Sequence, residues 1–203
     1  QVKLLVHADT NFADSSSMAR AVTNVGAVGI SGTSRFGAGA ASFTTAGQRL
    51  DYAATDAAMN LPAGDFTIEA WMRPVAFSGA DSARNVVSRN VSGNGWRLGV
   101  GELGTVTFVA GWAGGTSSFM TSSSQAWTNG TWYHLAVTRQ GTTYRIFRGG
   151  ALVHTRADEA RTIGTNANAP IQVGGQTLYS SSSTPFALID DVRITVGTAR
   201  YTA

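Results

Sequence analysis

The sequence predicts an all-β protein, folded as an antiparallel sandwich of two sheets. Apolar and polar residues alternate with period two in several short runs. Turn-forming residues interrupt those runs about every 8 to 12 positions, and 24 of the 203 residues are glycine. No stretch carries the i, i+3, i+4 apolar spacing of an amphipathic helix, so a βαβ fold is excluded in favour of a sandwich.

The clearest run is Gly64 to Arg73. Phe66, Ile68, Ala70 and Met72 face one way and Thr67, Glu69, Trp71 and Arg73 the other. Pro62 and Gly64 precede it and Pro74 ends it, which makes a sharply bounded strand. Thr131 to Arg139 repeats the pattern, with Tyr133, Leu135 and Val137 alternating with Trp132, His134 and Ala136, and the two runs are read as central strands. Lys3 to His7 is a short buried strand. Residues 13 to 34 form a meandering loop with one weak strand, because Gly26, Gly29 and Gly32 oppose a helix. Arg35 to Phe43 turns into a strand, Leu50 to Tyr52 is an edge strand, and Asp56 to Leu61 suits one helical turn.

Beyond Pro74, residues 76 to 84 form a loop before a strand at Asn85 to Arg89. Gly93-Asn94-Gly95 then turns the chain into Trp96 to Val100, and Thr105 to Gly111 continues the meander. Gly114 to Ser124 reads as a polar interruption, and Asn129-Gly130 as the turn into the second central strand. Gln140 to Thr143 connects to Tyr144 to Arg148, and Gly149-Gly150 makes a two-residue hairpin loop to Ala151 to Arg156. Residues 160 to 168 are loop, Ile171 to Gly174 a strand and Ser180 to Ser183 a loop. The last strand, Phe186 to Val196, puts Phe186, Leu188, Val192, Ile194 and Val196 on one face together with Asp190. No period of about 20 to 50 residues repeats, which argues against a propeller or solenoid.

Composition bounds the function. With 43% apolar residues the chain can bury one core, and it is read as one domain over residues 1–203. The absence of cysteine excludes disulfides, Cys-ligated zinc and thiol nucleophiles. The isoelectric point of about 9.7 arises from arginine, with Lys3 the one lysine, and the formal net charge is +3. The arginines are dispersed among hairpin residues and form no basic stripe, so no nucleic-acid partner is expected. No apolar run reaches the roughly 18 residues of a membrane span.

His7, His134 and His154 are too scattered for a zinc set or a triad. A retaining glycosidase needs two carboxylates about 5 to 5.5 Å apart. Asp65 and Glu69 share a face, but Glu69 lies between Thr67 and Trp71 without an evident second acid. It is read as a hydrogen-bonded structural carboxylate, and no catalytic residue is assigned. Among the tryptophans, Trp71 and Trp132 sit in central strands and are read as packing residues. Trp112, beside Gly111 and near Gly114, is the better candidate for stacking on a sugar ring, although core or interface packing is the favoured reading for the tryptophans, Trp112 included.

Five segments taken in order, LLVHADTNFADSS, SRFGAGAASF, GDFTIEAWMR, TWYHLAVTRQG and IDDVRITVGTARYT, resemble the laminin-G-like domains of the concanavalin A-like lectin/glucanase superfamily. The last of them is most similar to the form found in bacteriophage virion proteins such as tail fibres and appendages. The chain departs from the pattern at Ala8, where an aromatic residue is usual, at Phe43-Thr44-Thr45 in place of Phe-Asp-Gly, and at Arg148-Gly149 in place of Asp-Gly. The resemblance implies a jelly-roll sandwich used for attachment to glycans or proteins.

In such a fold the first and last strands lie side by side, which makes Asp9, Asp14, Asp190 and Asp191 a candidate calcium set. Calcium takes about six to eight hard oxygens. The competing reading gives Asp190 to main-chain N–H groups and Asp191 to an arginine. The function expected first is a non-enzymatic phage virion protein, decorating the capsid or forming part of a tail fibre. It would sit on the virion exterior as a homo-oligomer, trimer favoured, among other virion proteins and host-surface glycans. The alternative is a secreted carbohydrate-binding module, and a glycan hydrolase is the remote one.

Overall fold

The computed structural model describes residues 1–54, 61, 64–77, 84–91, 94–164, 169–177 and 183–203. Apart from Leu61 and Ser183, the expected helical turn at 56–61 and the serine run at 180–183 lie outside these residues. In chain order the strands are β1 (Val2–Val6), β2 (Val22–Val25), β3 (Gly29–Ser31), β4 (Ala40–Phe43), β5 (Arg49–Tyr52), β6 (Phe66–Pro74), β7 (Arg84–Val91), β8 (Asn94–Val100), β9 (Val106–Gly111), β10 (Ser117–Thr121), β11 (Tyr133–Gln140), β12 (Thr143–Arg148), β13 (Ala151–Arg156), β14 (Ile171–Gly174) and β15 (Ala187–Val196).

They form two antiparallel sheets. One runs β13-β12-β11-β6-β15-β4-β3, with β1 also paired to β15; the other runs β10-β9-β8-β7-β14-β5-β2. β1 and β4 share one side of β15 end to end, β4 against Ala187 to Ile189 and β1 against Val192 to Thr195. This is the expected all-β jelly-roll class, and β6 and β11 are indeed neighbours at the centre of their sheet.

The inward faces are the ones the alternation marks. Phe66, Ile68, Ala70 and Met72 of β6 are fully buried, as are Leu135 and Val137 of β11. Aromatic rings bridge the sheets: Phe66 and Tyr144 of one contact Phe108 of the other at centroid separations of 6.2 and 6.1 Å. Burying each such ring is worth about 1.5–3 kcal/mol.

Four local expectations are corrected. Leu50 to Tyr52 is not an edge strand, because β5 pairs with β14 on one side and β2 on the other. Residues 22–31 hold two strands where one was expected, β2 in one sheet and β3 in the other, so Gly26, at φ 78°, lies where the chain changes sheets. The supposed polar interruption contains β10, an edge strand whose Met120 turns inward while Phe119 stays exposed. Asp190 is not on the apolar face. A bulge between Asp190 and Arg193 reverses the parity of β15, so Ala187, Ile189, Val192 and Ile194 join the core.

The arginines explain how a basic chain lacks a basic stripe. Arg20, Arg84, Arg89 and Arg139 are buried, and each donates to main-chain carbonyls of loops: Arg20 to Lys3 and Ala53, Arg84 to Thr184, Arg89 to Ala54 and Ala169, and Arg139 to Gly141 and Glu159. A guanidinium offers five donors in a rigid fork, which suits it to satisfying carbonyls that loops leave unpaired.

Candidate functional site

On the face of the first sheet turned away from the core, cross-strand pairing sets Trp71 opposite His134 of β11 and Asp190 of β15, and Glu69 opposite Ala136 and Arg193. Across this face runs the C-terminal segment. Thr67 Oγ1 donates to Thr198 O at 3.0 Å and accepts from Arg200 N at 2.9 Å, and Thr138 Oγ1 donates to Tyr201 O at 2.9 Å. Two threonines that pair across β6 and β11 thus pin the tail and bring Tyr201 over Glu69.

Glu69 is the hub. Its side chain is 4% exposed. Oε1 accepts from Arg193 Nε at 2.7 Å and is met by Arg200 Nε at 3.3 Å, while Oε2 accepts from Tyr201 Oη at 2.6 Å and from His134 Nε2 at 3.0 Å. Burial by itself would raise this carboxyl. The hydrogen bonds from His134, Arg193 and Tyr201, with the charge of Arg193, outweigh it and bring the pKa down from 4.5 to about 2. Burial and the bond to Glu69 in turn raise the Tyr201 phenol. Glu69 is therefore the hydrogen-bonded carboxylate expected, with every lone pair engaged.

Around this floor opens a recess of about 430 Å³ lined by Phe36, Trp71, His134, Tyr201, Asp191 and Arg193 among others, with the Gly149-Gly150 turn at its rim. Phe36 stands edge-on to Trp71 at 5.7 Å, the Arg35 guanidinium lies over the Trp71 ring at 4.3 Å, and His134 packs against Trp71 at 5.3 Å and Tyr201 at 5.6 Å. Asp190 holds the loop that carries Phe36, its Oδ2 accepting from Arg35 N at 2.8 Å and Phe36 N at 3.1 Å. Burial raises the Asp190 carboxyl against the lowering effect of those bonds.

The expected site residues fare differently. Trp112 is no contact surface: it is fully buried, its Nε1 donates to Ser118 Oγ at 2.9 Å, and its backbone bridges to Ile163. The neighbouring glycines suggested openness, but the indole is part of the core. Trp71, read as packing, instead walls the recess.

The four aspartates do not form a calcium cage. Asp14 organises the loop after β1, accepting from Leu5 N, Ser16 N, Ser16 Oγ and Arg20 N. Asp9 accepts from Ala38 N, Asp190 serves Arg35 and Phe36, and Asp191 contacts His7 instead of an arginine. Among the described residues no group of three or more His, Asp or Glu could hold an ion. The chain's donor set does not fit the calcium that the resemblance implied.

Sequence reasoning missed the recess because its members come from six separate stretches of the chain. Glu69, Trp71 and His134 on the outward faces of two central strands were the available signal; the tail and the Phe36 loop gave none.

The chain is thus an antiparallel sandwich with an aromatic recess on the outer face of one sheet. The family model Laminin_G_3, described as the concanavalin A-like lectin/glucanases superfamily, matches residues 47–198, and the chain belongs to this superfamily. No curated protein sequence matches it. Among solved structures it is similar to the binding domain of paraclostridial mosquitocidal protein 1, with TM-score 0.77, 14% identity and coverage of 98% of this chain and 49% of the other. The botulinum neurotoxin serotype G binding domain gives 0.76, 13%, 99% and 49%. Botulinum neurotoxin type C, whose cell entry depends on interaction with two ganglioside molecules, gives 0.76, 14%, 98% and 48%. At these identities the likeness is one of fold, and the chain spans about half the length of each.

Proposed function

We propose that the chain is a non-enzymatic glycan-recognition module that works outside the cell and contacts sugar in the outer-face recess. The observation that carries this reading is the meeting of Phe36, Trp71 and Tyr201 around a polar floor. Ring faces and edges offer apolar area to the C–H faces of a sugar, while the partly exposed Asp191 and Arg193 of the lining offer partners to its hydroxyls. The superfamily includes lectins, and structures of similar fold are toxin binding domains, one of a toxin that engages gangliosides. Catalysis is disfavoured by Glu69, which is ionised and fully engaged, whereas a glycosidase acid must hold a proton to give away.

The test is Phe36→Ala. Phe36 is 48% exposed on a loop, so its loss should lower the thermal melt by no more than about 5 °C while glycan-array binding falls at least about tenfold. Unchanged binding would remove the recess from the reading.

A second reading, a phage capsid-decoration or tail-fibre module built from symmetric copies, is favoured by the C-terminal segment Ile189 to Thr202, which resembles the form found in virion proteins. Light scattering on the purified chain tests it. The two readings are compatible, since a virion exterior is a natural place for glycan attachment.

A further inference from the structure

The recess owes its two accessible charged groups to one extra residue. Between Asp190 and Arg193, β15 advances three positions while β6 advances two, from Trp71 to Glu69. A bulge of this kind takes one residue out of the ladder and re-aims its side chain. Here that residue is Asp191, in the left-handed region at φ 51°, where a non-glycine residue sits at a cost.

Asp191 and Arg193 consequently both line the recess. His7 Nδ1 donates to Asp191 Oδ1 at 2.7 Å, and the second oxygen has no hydrogen-bond partner among the described residues. Arg193 spends Nε on Glu69, and its two terminal nitrogens have no hydrogen-bond partner among the described residues. An unused acceptor and an unused pair of donors thus lie two residues apart on one strand, near the rings of Trp71 and Tyr201.

We propose that this pair reads an uncharged sugar, Asp191 accepting from one ring hydroxyl and Arg193 donating to the adjacent one, and that it disfavours sugars bearing a carboxylate. The inference rests on the recess being the glycan site. A hydroxyl both donates and accepts, so two neighbouring hydroxyls satisfy both protein groups. A carboxylate accepts without donating; it would suit Arg193 but set a like charge against the Asp191 oxygen. Around the recess Arg35, Arg193 and Arg200 stand against Glu69, Asp190 and Asp191, so no net positive charge holds an anion.

The whole chain is applied to an array of matched glycans: galactose-terminated chains with and without a sialic acid cap, and oligogalacturonate beside its carboxyl-reduced form. Hits are titrated calorimetrically. The uncharged member of a pair should bind at least about tenfold more tightly. Asp191→Asn keeps the shape, and asparagine tolerates the left-handed region; it should bring the two members within about threefold.

Tighter binding of the acidic member by the unaltered chain overturns the inference and leaves a glycan-binding recess standing, as does an undiminished preference in Asp191→Asn. If no glycan on the array binds, both this inference and the proposed function fall.

Discussion

At the scale of the residue, Glu69 couples the recess to stability. Its carboxyl titrates near 2 in the folded chain and near 4.5 when free. A depressed folded pKa contributes stability that is complete above the unfolded value and disappears as pH falls through the folded one. The difference corresponds to about 3 kcal/mol, lost between about pH 5 and pH 2. Urea unfolding of the chain and of Glu69→Gln at both ends of that window should show the variant losing less on acidification by about that amount. Equal losses would mean that the four donors do not hold the carboxylate as described. The residue type and face of Glu69 were legible in the alternation of β6. Its donors were not, because Arg193, Arg200 and Tyr201 are more than 120 positions away and no local pattern announces their approach.

At the scale of the element, legibility follows how much a strand depends on its own sequence. β6 and β11 could be read from their regular alternation, and β12 and β13 from the tight Gly149-Gly150 turn that joins them. β10 could not: its serines carry no strand preference, and it forms because β9 offers an edge and Met120 finds the core. The bulge in β15 was invisible because an inserted residue leaves the chain's composition untouched while reversing which side chains face inward.

β14 shows the same dependence on neighbours. Gly174 has φ 91°, and a Cβ there would come within 2.2 Å of the Phe43 ring, which is fully buried. Gly174→Ala should therefore combine backbone strain with overpacking, about 3 kcal/mol or more, and lower the midpoint of thermal unfolding by about 6–12 °C. Gly141→Ala is the control, since Gly141 has φ 57° but nothing within 4 Å of the added atom; it should cost about 1–2 kcal/mol. Equal melting temperatures for the two would show that the ring yields and the packing argument is wrong.

At the scale of the whole molecule, the two sheets end together on one flank, where the edge strands β10 and β13 approach each other. Phe119 of β10 is 62% exposed and Leu152 of β13 is 46% exposed. Exposed edges carrying large apolar residues invite pairing with another chain unless something covers them. In a closed symmetric assembly each copy would cover the same flank on its neighbour, which is how the virion reading accounts for them. Light scattering at micromolar concentration should then give three times the 21.1 kDa chain mass, and Phe119→Asp, a change on an outward-facing edge position, should return the mass of one chain with the fold intact. A single-chain mass for the unaltered protein would remove the trimeric assembly while leaving the recess, on the outward face of the first sheet around β6, β11 and β15, free to bind. Such a result would favour a module that meets its glycan as one copy, with affinity set by the recess alone and no gain from multiple simultaneous contacts.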